Sequence, residues 1–134
     1  MGTETHWLAV IVAAILGFVI GGLWYGPVFG KKWQSLSELS DERMQAANMP
    51  MIFALVALLN LFSAFILDHV LGTYGRPDLS VTMMITGGIA LAFVVPVFAI
   101  NYLFARKPLA LFAIDAGYWL LIYVAMGAAL SILG

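Results

Sequence analysis

Arg106–Trp119 reads RKPLALFAIDAGYW. Two cations and a proline lead into an apolar run that continues to Leu133, and the one formal charge inside that run is Asp115. Residues 109–133 are enough to cross a bilayer, which takes about 20 residues in a helix. A carboxylate at the centre of such a helix costs roughly 2.5–3.5 kcal/mol on insertion scales. Asp115 lies nearer one end and costs less, but it still needs a partner or a use.

Composition sets the same class for the whole chain. Of 134 residues, 63% are hydrophobic and 10% charged, where soluble domains carry about 25% charged residues. A water-soluble fold of this length has too little interior to hide that surface, so the chain reads as an integral membrane protein with a single domain, 1–134. The net charge of -1 gives no electrostatic case for nucleic acid. Without cysteine there is neither a disulfide nor thiolate chemistry. The opening MGTETHW lacks the positive n-region of a signal peptide, so the first apolar segment is expected to be retained. Gly2 does not start a lipidation motif, because His6 stands where Ser or Thr is required.

Four apolar segments follow, about 7–26, 50–71, 79–105 and 108–133. In the first, Ala9, Ala13, Gly17 and Gly21 recur every four residues and form one small-residue face suited to close helix packing. Gly26 and Pro27 are expected to end this span, since proline lacks the amide donor. Trp24, Tyr25, Pro27, Lys31 and Trp33 belong to a run, LWYGPVFGKKW, that reads as an interfacial aromatic and basic motif. Trp24 and Tyr25 lining a site is the alternative. A polar loop, about 31–48, separates spans one and two. In it Trp33, Leu36 and Leu39 predict a short helix on the membrane surface, and Ser40 is a plausible N-cap. Asn48 and Pro50 suit the start of span two. Gly72 to Asp78 forms a tight connection, and Pro96 is expected to kink span three. Asp68 and His69 read as an ordinary interfacial pair.

Lys31, Lys32, Arg43, Arg106 and Lys107 fall in the first and third loops, against Arg76 alone in the second. The positive-inside rule then places the first and third loops in the cytoplasm, with the termini and second loop outside. The membrane expected is the inner membrane of a bacterium. FGKK at Phe29–Lys32 and FARK at Phe104–Lys107 end spans one and three alike, through a duplicated hairpin or through belt and charge rules acting alone.

Depth brings the polar residues into relation. Asp115 is about 10 Å in from Pro108 by helical rise, and Asn101 about 6 Å in from the other side of the same turn. Asn60 is deeper, and Tyr118 shares the face of Asp115. Asp115, Asn101, Asn60 and Tyr118 therefore make up the candidate intramembrane polar site. A carboxyl balanced between burial and hydrogen-bond donors can carry a proton or hold a cation. The alternative is that Asp115 acts as helix–helix glue. No cofactor, metal or catalytic set is expected.

With these residues on the page, LWYGPVFGKKW and NYLFARKPLALFAIDAGYW resemble an uncharacterised family of small bacterial and fungal four-span membrane proteins, known only as a domain of unknown function. The shared pattern is the W-Y-x-P-x-F-G-K-x-W run at Trp24–Trp33 and the (N/D)-A-G-Y-W run at Asp115–Trp119. The resemblance implies an all-α membrane fold of four transmembrane helices in a small bundle, and no activity. The expected function is an oligomeric channel, transporter or solute-binding protein using Asp115, with the bilayer, further copies of the chain and a small solute or ion as partners. The alternative is a non-catalytic scaffold or accessory subunit.

Overall fold

The computed structural model describes residues 4–134; the lipidation reading at Gly2 lies outside the described residues. The apolar runs form four helical spans, Trp7–Val28, Met49–Thr73, Leu79–Ala105 and Leu109–Leu133, each long and apolar enough to cross a membrane. No strand occurs among the described residues.

The first span is α1, Trp7–Leu23, followed by a widened turn, Trp24–Val28. Here the expectation that Gly26 and Pro27 end the helix is corrected. Pro27 has no N–H to give, and the chain answers by adding a residue to the turn. The Phe29 N–H then reaches the Trp24 carbonyl five residues back, at 2.8 Å. Such π-type turns absorb a local break in the ladder without ending the helix.

Two short helices fill the first loop: α2, Gly30–Leu36, over the stretch read as a surface helix, and α3, Asp41–Ala46, after the Ser40 cap. The Ser40 hydroxyl caps α3 by accepting the Arg43 N–H at 3.1 Å. Asn48 caps α4, Met49–Thr73, through the Met51 N–H at 3.2 Å. Gly72 lies buried within α4; the chain reverses instead at Gly75 and Arg76, with φ of 76° and 51°. Asp78 caps α5, Leu79–Ile89, through the Val81 N–H at 2.9 Å. A second widened turn, Ala90–Val94, leads to α6, Val95–Ala105, with Pro96 in its first turn. The last turn closes at Arg106, φ 57°, with the Lys107 N–H on the Tyr102 carbonyl at 3.0 Å. Pro108 is the N-cap of α7, Leu109–Leu133, one position before its expected first-turn place.

The helices pack in the order α4, α1, α7, α5, with α7 between α1 and α5, and with little contact between α4 and α7. Small residues set this order. Ala9, Ala13 and Gly17 are buried, and a Cβ on Gly17 would stand 2.8 Å from the Met126 methyl of α7. On the other side of α7, Thr82, Thr86 and Ala90 are buried. There a side chain on Gly127 would overlap the Thr86 hydroxyl. Without a hydrophobic driving force between helices in lipid, such close approach supplies the packing energy. The Ala9–Gly21 face is thus occupied within the chain. Met51–Leu59 on α4 are exposed throughout, and α6 buries no residue; both present apolar surface of the kind that lipid covers.

Candidate functional site

Buried polar side chains collect near both ends of α1, which are separated by roughly 28 Å of helix between His6 and Tyr25. At the Tyr25 end, Asp115 projects from the second turn of α7 and is 7% exposed. One of its oxygens accepts the Tyr25 hydroxyl proton at 2.5 Å, and the other accepts that of Tyr102. Three helical segments therefore meet on one carboxyl: the widened turn after α1, α6, and α7.

The local sequence makes this geometry. The widened turn carries Trp24 and Tyr25 inward. The Trp24 indole N–H donates to the Ile114 carbonyl at 3.0 Å, and its ring lies against Gly117, where a Cβ would be 3.3 Å away. The Tyr25 ring packs edge-on against Tyr118 at 4.9 Å and Trp33 at 5.6 Å. Gly30 is needed for the same turn, because a Cβ there would be 2.6 Å from the Tyr25 carbonyl oxygen. Tyr102 is held edge-on by Phe98 and Phe112. Aromatic edge-to-face contacts of this kind fix ring orientation as well as burying area.

The expected site is redrawn by these contacts. Asp115 is central to it. Tyr118 shares its helix face, but its hydroxyl donates to the Gly17 carbonyl at 3.4 Å instead. Asn101 is exposed, because it lies a helical step away from the face of α6 that Tyr102 turns toward α7. Asn60 is buried mid-span, with its amide beside Gly17 rather than near Asp115. Its Nδ2 has no hydrogen-bond partner. Within the interfacial motif, Lys31 and Pro27 are exposed, while Trp24, Tyr25 and Trp33 are half-buried; Trp24 and Tyr25 face the protein.

Of the two phenols, Tyr25 enters the sequence reading only as the alternative, a site-lining residue, and Tyr102 not at all, though each left a signal. Tyr25 continues the four-residue series Ala9, Ala13, Gly17, Gly21 that faces α7. Tyr102 follows Phe98 at the same spacing and sits 13 positions from Asp115 across a tight turn. Asparagine drew attention to the wrong one of two adjacent residues.

At the other end of α1, Asp68 is 1% exposed and paired with Arg76 at 2.8 Å. Its second oxygen accepts the His6 backbone N–H at 3.2 Å. Arg76 also donates to the Glu4 carbonyl. The expected interfacial pair is thereby corrected: Asp68 is a buried staple between α4, the second loop and the start of α1, while His69 is exposed. The reach of Arg76, set by its left-handed backbone, makes the difference.

Four apolar spans on an all-α frame, with a buried carboxyl bridged to neighbouring helices, define a polytopic membrane protein. The chain belongs to the family of proteins of unknown function DUF1761, whose model matches residues 8–131. No curated protein and no solved structure matches it significantly.

Proposed function

We propose that this protein is a small membrane transport or solute-binding protein whose working group is the Asp115 carboxyl, which exchanges a proton near the end of the spans that carries Lys31 and Lys107. The observation that supports this reading is the chemistry of its partners. Both oxygens of Asp115 meet neutral phenols, whereas Asp68 meets a guanidinium. A phenol can donate or accept. Charged Asp115 accepts from both tyrosines; protonated Asp115 donates to one and accepts from the other. The phenol that then accepts must turn its own O–H to another acceptor, but no formal charge is stranded when the proton comes or goes. Protonating Asp68 would instead remove the countercharge of the half-buried Arg76.

In this proposal the working end faces the cytoplasm, following the distribution of cations. The termini and second loop face outward, and the membrane is the bacterial inner membrane. A pathway forms between copies of the chain, since four spans enclose little space alone. The role is not enzymatic, and the guest is a small solute or ion.

The test is infrared titration of the Asp115 carboxyl in lipid against Asp115→Asn, together with proton-linked flux in liposomes. A carboxyl band that titrates and shifts with an added solute, with flux lost in the variant, supports the proposal. The second reading is a scaffold or accessory subunit in which Asp115 is glue, favoured by the three helical segments that its bonds join. There the band stays insensitive, and Asp115→Asn lowers stability without changing flux.

A further inference from the structure

We infer that Lys31, Lys32, Arg106 and Lys107 form a binding rim for the phosphate headgroup of an anionic phospholipid. All four are exposed. None forms an ion pair, the one pair among the described residues being Arg76 with Asp68. In the first loop, the Asp41 carboxylate accepts the Gln34 amide at 2.7 Å.

Both basic pairs are placed at one end of the fold by its contacts. Lys31 and Lys32 precede Trp33, whose ring packs on Tyr25, and α2 packs on α7. Arg106 and Lys107 follow Tyr102 by one turn, held by the left-handed Arg106 backbone and the closing bond from Lys107 to Tyr102. The bridge from Tyr25 through Asp115 to Tyr102 thus ties both basic pairs to one end of the molecule.

The depth points to lipid rather than to a soluble anion. Apolar side chains border the rim and are widely exposed: Phe104 at 86%, Leu109 at 80% and Val28 at 61%. They suit acyl chains, which puts the four cations at the level of the phosphates. Arginine matches a phosphate with two parallel N–H donors, and lysine adds mobile point charge. Basic clusters at the end of a span are attracted to anionic headgroups in this way.

The experiment adds phosphatidylglycerol, phosphatidylcholine or inorganic phosphate to the full chain in neutral detergent. Native mass spectrometry reads retained lipid, and thermal unfolding reads stabilisation. Phosphatidylglycerol should be retained and raise the melting temperature, and the other two should do neither. The variant K31Q/K32Q/R106N/K107Q should bind phosphatidylglycerol about tenfold or more weakly; Asn at 106 tolerates the left-handed backbone. The pairs K31Q/K32Q and R106N/K107Q should each give part of that loss, should the fourfold variant fail to fold. Equal retention of phosphatidylcholine, a stabilisation reproduced by inorganic phosphate, or unchanged binding by the variants would overturn the inference.

Discussion

Tyr25 and Asp115 are 90 positions apart in the chain, and the tyrosine hydroxyl lies 2.5 Å from the carboxylate oxygen it donates to. The contact joins the end of the first span to the start of the last. With Tyr102 on the other oxygen, it ties the first and third spans to the last at one end of the molecule.

Removing either phenol hydroxyl should therefore weaken the fold through Asp115. Hydrogen bonds to charged groups contribute about 1.5–3 kcal/mol. We expect Tyr25→Phe and Tyr102→Phe each to destabilise the protein by an amount in that range in detergent unfolding. In a double-mutant cycle, the loss from Tyr25→Phe should shrink markedly in an Asp115→Asn background. Additive losses would show that the hydroxyl and the carboxyl act independently.

Arg76→Gln should be more damaging than its position in a loop suggests. It leaves Asp68 buried without its countercharge, which costs about 3–5 kcal/mol. The double variant Asp68→Asn/Arg76→Gln should recover much of that, because neither residue then carries a stranded charge. Unfolding curves of the three variants decide the point, and a harmless Arg76→Gln would contradict the burial of Asp68.

Gly127 sets the spacing of α5 and α7. An alanine methyl there collides with Thr86, and overpacking of this kind costs about 1–3 kcal/mol. Thr86→Ala removes the two closest atoms, Oγ1 and Cγ2, and leaves only the Cβ at 3.1 Å, so Thr86→Ala/Gly127→Ala should melt above Gly127→Ala. A double variant no better than the single would mean that the two helices are not in contact at this point.

Asn60 is buried with an amide nitrogen lacking a partner. Replacing a buried polar group by an apolar one of similar shape can be neutral or stabilising. Asn60→Leu is expected to retain or gain thermal stability, and Asn60→Asp to lose it by burying a charge mid-span. A loss of several degrees in Asn60→Leu would show that the amide has a partner in the membrane-embedded protein.

The chain announces Asp115 by contrast with its surroundings, and announces the caps at Ser40, Asn48 and Asp78 by local chemistry. It conceals Asp115's partners, because a tyrosine near a membrane end reads equally as a belt residue or as a donor. In the sequence, depth and polarity together put Asn60 and Asn101 near Asp115. Where each points depends on the rotation of its helix, and neither rotation is encoded in residue type.

The sequence by itself determined four spans, the helix caps and the class of protein, because apolar length and cap chemistry act within a few residues of themselves. It also determined that one acid would have to be accommodated in the last span. Only the tertiary structure decided how. The widened turn Trp24–Val28 carries Tyr25 and α6 carries Tyr102, and both converge on Asp115. Arg76 reaches back to neutralise Asp68. Both arrangements depend on helix rotation and spacing across contacts of long sequence separation, and those are set by how the small faces of α1, α5 and α7 fit together.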